Sequence, residues 1–220
     1  MLLAALERAG VTPASAERLH AFAYLADVLS PVWGLNPHED VVFKTKEGPY
    51  FVDLQEQLDH LVILDLVHVE NLGYKEIGKS ITRVIGWYEL QLASPCLTDL
   101  LGKLGARASG TPIDPLDRLL NEYLTNLASA LSTVPDDEIA LAATVDASYA
   151  DSSRGFSQII ELRQRSRIGL AMLSTDTKAN ASVAVTERFE DFLPEGSAFS
   201  AAEKVYLYAS YLGRKMVANG

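Results

Sequence analysis

Glycine and proline divide the first ninety residues so closely that only short elements fit between them. Gly10, Pro31, Asn36-Pro37 and Gly48-Pro49 each interrupt the apolar patterning. Glycine does so by freeing the backbone and proline by removing a donor. Between the breaks the periodicity is legible. Leu2 to Ala9 predicts a short helix ended by Gly10. Thr12 is placed as an N-cap with Pro13 at the first helical position. Ala16, Leu19, Phe22, Ala23, Ala26 and Leu29 then recur at helical spacing up to Ser30 and Pro31. Val41-Val42-Phe43 is β-branched and aromatic, which predicts a short strand. After Gly48-Pro49, Phe51, Leu54, Leu58, Leu61 and Val62 form one apolar stripe of a further helix. Leu66 to Val69 predicts extended chain, Asn71 to Gly73 a turn, and Ser80–Ile85 and Trp87–Leu90 two strands around Gly86.

That order is helix, helix, short strand, helix and hairpin, the order of a winged-helix domain. The second half carries mostly helical periodicity. Asp114-Pro115 opens a long helix whose buried side is Leu116, Leu119, Leu120, Tyr123, Leu124, Leu127 and Leu131. Further helices are predicted over Leu97–Leu104, from Pro135, over Phe156–Leu173, over Val183–Phe192 and after Ser200. Ser200 with Glu203 makes a capping box. Residues 107–112 are predicted as a linker or loop. The expected fold is mainly α (α+β), with a winged-helix-like domain over 1–93 and an all-helical domain over 94–220.

Charge and residue inventory narrow the chemistry. The net charge is −10, so the overall field does not attract nucleic acid. Residues 1–90 hold seven Lys and Arg against thirteen Asp and Glu, a net of −6. A nucleic-acid contact therefore requires a local basic patch. No apolar run approaches the ~20 residues of a membrane-crossing helix. The opening MLLAALERAG lacks the basic region of a secretory signal. The single cysteine, Cys96, excludes an internal disulfide and a multi-cysteine metal site. A cytoplasmic location is expected.

His20, His38, His60 and His68 are scattered, with no pair at metal-ligand spacing. His38-Glu39-Asp40 is read as a solvated loop and Cys96 as a small buried residue. Asp146, Asp151 and Arg154 around Tyr149 are read as a solvated charged run between helices. No GxSxG, GxGxxG or phosphate-cradling loop occurs. Neither catalytic activity nor a resident cofactor or metal is expected. Trp87, Tyr88, Tyr206, Tyr208 and Tyr211 are assigned mostly to the core, with a subset available to a protein interface.

Two basic groups are candidate contact residues. Lys75, Lys79 and Arg83 fall on the predicted hairpin, where 71–86 nets +2 inside an acidic region. Arg163, Arg165 and Arg167 follow Arg154, and Arg163 and Arg167 share a helix face at their spacing of four. This second group fits a DNA backbone, an acidic partner, or pairing with acids of the same chain. The third predicted helix carries Asp53, Glu56, Asp59 and Asp65 over 50–66 and no Lys or Arg, which disfavours base-specific reading.

The passages LHAFAYLADVLSPVWGL and VVFKTKEGPYFVDLQEQLDHLVILDLVHV carry a specific pattern. Tyr24 to Asp27 closes a helix, Gly48-Pro49-Tyr50-Phe51 follows a strand, and Leu54-Gln55, Leu58-Asp59, Leu61-Val62 and Leu66-Val67 continue it. With the closing SAAEKVYLYASYLGRK, this resembles the middle component of bacterial three-component ABC systems, anti-phage or anti-plasmid defence modules related to the Lamassu type. The resemblance covers both ends and leaves about the middle third unmatched. It departs at Asp65, where the pattern has glycine. It implies a non-catalytic adaptor that binds an SMC/Rad50-like ATPase and an effector protein and adds non-specific DNA contact. The Panacea antitoxin domain shares a similar YLAD and GP layout, and a winged-helix DNA-binding regulator is the other alternative.

Overall fold

The computed structural model describes residues 1–39, 41–77, 81–92, 94–97, 115–132, 134, 136–151, 155–162, 180–194 and 196–219. Its centre is the second helix. α1 (Leu2–Arg8) leads through a two-residue strand, β1 (Ala14–Ser15), into α2 (Ala16–Leu29). Every residue of α2 except Glu17 is buried. The apolar stripe predicted one packed face, but the helix is enclosed on all sides, so Arg18, His20, Tyr24 and Asp27 are buried with it. The helix also starts later than the Thr12 cap predicts. Ala14 and Ser15 pair with Tyr88 and Trp87 instead, and the Ser15 hydroxyl accepts from the Arg18 amide at 3.1 Å.

A 3₁₀ turn (Ser30–Trp33) closes on Gly34. β2 (Val41–Thr45) and β3 (Gly48–Tyr50) form a hairpin, then α3 (Val52–Ile63) packs Leu58 inward. β4 (Val67–Ile77) and β5 (Ile81–Leu90) make the long hairpin. The predicted turn at Asn71 to Gly73 is a register irregularity inside β4, with Asn71 at φ 52°. Gly86 does not divide β5. A side chain there would meet Val69 Cγ2 at 3.1 Å, so glycine lets the strands stay paired. The first sheet has the order β1-β5-β4, all antiparallel.

Beyond residue 94, α4 (Pro115–Leu131), α5 (Asp136–Val145), α6 (Ala181–Arg188) and α7 (Ala201–Asn219) follow the predicted helical pattern closely. A 3₁₀ turn, Phe189–Phe192, replaces the predicted end of α6. The capping box forms: the Ser200 amide donates to Glu203 Oε2 at 2.8 Å and the Glu203 amide to Ser200 Oγ at 3.3 Å. One segment departs from the all-helical expectation. Gln158–Glu161 is a strand, β6, and completes a second antiparallel sheet of order β3-β2-β6, with Val42 opposite Ile160. The β-branched pair Ile159-Ile160 suits that pairing, and Ser157 at φ 66° turns the chain into it. Phe156, Ser157 and Leu162 are not helical either, while residues 163–173 of that predicted helix, the Leu97–Leu104 helix beyond Leu97 and the 107–112 linker lie outside the described residues.

The chain is thus mixed α+β, mainly helical, and its buried side chains form one cluster on both sides of residue 93. Direct bonds cross the predicted 93/94 division. Tyr123 Oη donates to the Ala26 carbonyl at 2.6 Å, and Asn180 Nδ2 donates to the Val28 carbonyl at 2.6 Å. Among the described residues no helix is long and apolar enough to cross a membrane. Gly86→Val is expected to lower stability by about 1–3 kcal/mol, because Val69 and the Glu70 carbonyl must move; urea unfolding measures it.

Candidate functional site

The long hairpin is the candidate contact surface. Along β4, Glu70, Asn71, Leu72, Tyr74, Lys75 and Glu76 are all exposed, so both faces of the strand meet solvent. This part of β4 pairs with β5 and carries its side chains outside the core, and is called the arm below. Tyr74 is 73% exposed and Leu72 57%. At the root of the arm, Ile63 is 78% exposed, Leu64 57% and Leu92 61%. This root is tied to the helix by Leu66 N donating to the Leu61 carbonyl and Gln91 N donating to the Leu66 carbonyl.

Asp65 supports the turn there. It sits at φ 56°, a left-handed conformation that favours glycine but that aspartate tolerates. Its carboxylate accepts from Ser94 Oγ at 3.0 Å. The departure from the glycine pattern is therefore accommodated at this position.

The predicted basic residues distribute unevenly. Lys75 is exposed on β4 and stands opposite Arg83 on β5 in the strand register. Lys79, Arg163, Arg165 and Arg167 lie outside the described residues. Asp53, Glu56 and Asp59 of α3 are exposed, as the acidic-face reading expects.

The polar constellation of the interior was not anticipated. Asp146 is fully buried, not part of a solvated run. Its Oδ1 accepts from Tyr208 Oη at 2.5 Å and Ser182 Oγ at 2.7 Å. Its Oδ2 accepts from Tyr24 Oη at 2.6 Å, Ser148 N at 2.9 Å and Tyr149 N at 3.1 Å. Three hydroxyls and two amides from α2, α6, α7 and the turn after α5 converge on one carboxylate. Tyr149 is buried too, and exchanges bonds with Thr45, accepting at 2.9 Å and donating at 2.7 Å. Both carboxylate oxygens are occupied and closed to solvent, which suits a structural tie.

Burial raises the Tyr24 hydroxyl well above its usual value of 10.0, and the Asp146 charge adds to the effect. Tyr208 is raised by the same two causes in the same order. Tyr123 is raised by burial and then by the Asp27 charge. A second missed carboxylate is Asp27, which accepts from the His38 amide at 2.7 Å and the Glu39 amide at 3.3 Å. It fixes the loop whose imidazole, that of His38, stays in solvent. The YLAD residues Tyr24 and Asp27 could have flagged both ties, since each is a polar group on an otherwise apolar helix.

Cys96 is exposed, contrary to its expected burial. The helical turn at 95–97 points Leu97 inward instead, and the Cys96 amide donates to Ser94 Oγ at 3.2 Å. Trp87 and Tyr206 are the exposed members of the aromatic group, while Tyr88 and Tyr208 are buried. Among the described residues no three His, Cys, Asp or Glu side chains gather as metal ligands.

Scans of the chain against protein-family models, curated proteins and solved structures each returned no match.

Asp146→Ala leaves five donors, four of them buried, without their acceptor and is expected to cost at least about 3 kcal/mol in urea unfolding. The raised tyrosines act at high pH. The folded chain keeps protons that the unfolded chain releases near pH 10, so their contribution is complete below about 10 and is lost above it. Stability is expected to fall above pH 10 by up to about 1.4 kcal/mol per pH unit for each such tyrosine. Tyr24→Phe is expected to make that slope shallower, read from denaturation curves at stepped pH.

Proposed function

We infer that the chain is a non-catalytic adaptor subunit that bridges an SMC/Rad50-like ABC ATPase and an effector in a bacterial anti-phage or anti-plasmid defence complex. The observation that carries this reading is the arm: β4 exposes Leu72 and Tyr74 away from the core, with Ile63, Leu64 and Leu92 at its root. Large exposed apolar side chains on and beside a hairpin suit a partner protein, where aromatic anchors supply most of the binding energy. The winged-helix reading of 1–93 is supported by the order α1, β1, α2, α3, β4, β5 and by the sheet order β1-β5-β4. In that reading β2 and β3 are an insertion between the second and third helices. The saturated Asp146 carboxylate favours a structural use of the interior over chemistry. The identity of the partners rests on the sequence resemblance.

Co-expression with the SMC/Rad50-like ATPase that this reading expects from a neighbouring gene is the direct test. The two proteins are expected to co-elute, and the double variant Leu72→Glu/Tyr74→Glu to weaken the complex at least about tenfold while leaving the fold intact. Separation of the two wild-type proteins under low salt sinks the adaptor reading.

The DNA-binding alternative has one observation of its own, the exposed Lys75 on β4, with position 83 opposite it in the strand register. It predicts duplex affinity that falls steeply with salt. Lys75→Glu is expected to weaken binding equally across sequences and to reduce the log–log salt slope by about 1. A filter-binding titration across salt concentrations measures both, and no retention at low salt removes this alternative.

A further inference from the structure

β4 is an outer strand of the sheet β1-β5-β4, and among the described residues no strand pairs with its other edge. A long strand edge presents a row of amides and carbonyls that another strand can use. From Glu70 to Glu76 every residue except the half-buried Gly73 is exposed.

The register irregularity decides which strand fits there. Glu70 stands opposite Trp87 and Gly73 opposite Ile85, so β4 takes three steps where β5 takes two. In a plain antiparallel strand every second residue aims its amide and carbonyl at a given edge. The extra residue shifts that alternation by one. Across it, two residues an odd number of positions apart become equivalent at the outer edge and can stand directly opposite each other in a pairing of two copies. Glu70 and Lys75 are five apart and lie on either side of the irregularity. They also share a face of the sheet, because the β5 positions opposite them, 87 and 83, are four apart.

In that pairing a twofold axis passes between Leu72 and Gly73. Glu70 of each copy meets Lys75 of the other, and Asn71 meets Tyr74. Leu72, 57% exposed, meets Gly73, which has no side chain to obstruct it. Val69 meets Glu76, so no like charges are opposed. A shift of one residue either way breaks the match at the edge, and one of the two shifts sets Glu70 against Glu76. Within its own chain Glu70 lies 3.4 Å from His68 Nε2, an ion pair only when the imidazole is protonated. The strand is thus complementary in charge and in edge pattern to itself.

We propose that β4 pairs antiparallel with β4 of a second copy of this chain, joining the two sheets into one through two symmetric Glu70–Lys75 contacts. The pairing uses the edge of the arm and goes beyond the adaptor reading, and it is tested on the chain alone, without an ATPase.

Sedimentation equilibrium of the full chain with reductant, at low salt and rising concentration, reads the association. The wild type is expected to dimerise, and less so above about 0.5 M salt, where exposed charge pairs are screened. Glu70→Lys and Lys75→Glu, each alone, turn both contacts into like-charge pairs and are expected to weaken the dimer about tenfold. The double variant Glu70→Lys/Lys75→Glu is expected to return to within about threefold of the wild type. An equimolar mixture of the two single variants is expected to dimerise as well, since each supplies the charge that the other has lost. Amides of 70–76 are expected to exchange more slowly as concentration rises. A chain that stays monomeric up to about 1 mM overturns the proposal. A dimer that neither single change weakens overturns it too, as does one that the double change and the mixture fail to restore.

Discussion

The buried carboxylate of Asp146 is the constraint around which the helices are arranged. An ionised side chain without water is costly unless its lone pairs are fully used. Here five donors use them, and those donors come from segments far apart in the chain. The arrangement is therefore directional as well as apolar. Hydrophobic burial alone would let α6 and α7 slide against α2. The tyrosine and serine hydroxyls admit one relative position, since each bond is short and ends on the same two oxygens.

The same logic extends along α2. Several of its polar groups are the points at which other elements are attached. His20 Nδ1 accepts from the Phe51 amide at 3.1 Å and so anchors the entry to α3. Asp27 anchors the loop before β2. The Ala26 and Val28 carbonyls, freed at the end of the helix, receive Tyr123 and Asn180. A helix enclosed on every side must satisfy its polar groups within the protein, and each satisfaction fixes a neighbour.

Against this tied interior the β4–β5 arm is built differently. Its outer part depends on strand pairing, and its exposed side chains contribute little to the core.

Local pattern determined much of the architecture. The α2, α3, α4 and α7 helices were legible from apolar spacing, and the Ser200–Glu203 box from residues three apart, because helical contacts are short in sequence. The existence of a hairpin after α3 was legible as well, and Lys75 and Arg83 were placed on it. Tertiary structure alone decided the rest. Whether Gly86 breaks a strand depends on Val69, seventeen positions earlier, approaching it. Whether Ile159-Ile160 forms helix or strand depends on β2 offering an edge. Whether Asp146 is solvated or buried depends on Tyr24 and Tyr208, 122 and 62 residues away, supplying hydroxyls. A one-dimensional pattern records which residues can be buried. It does not record which distant donors will meet a charge once it is.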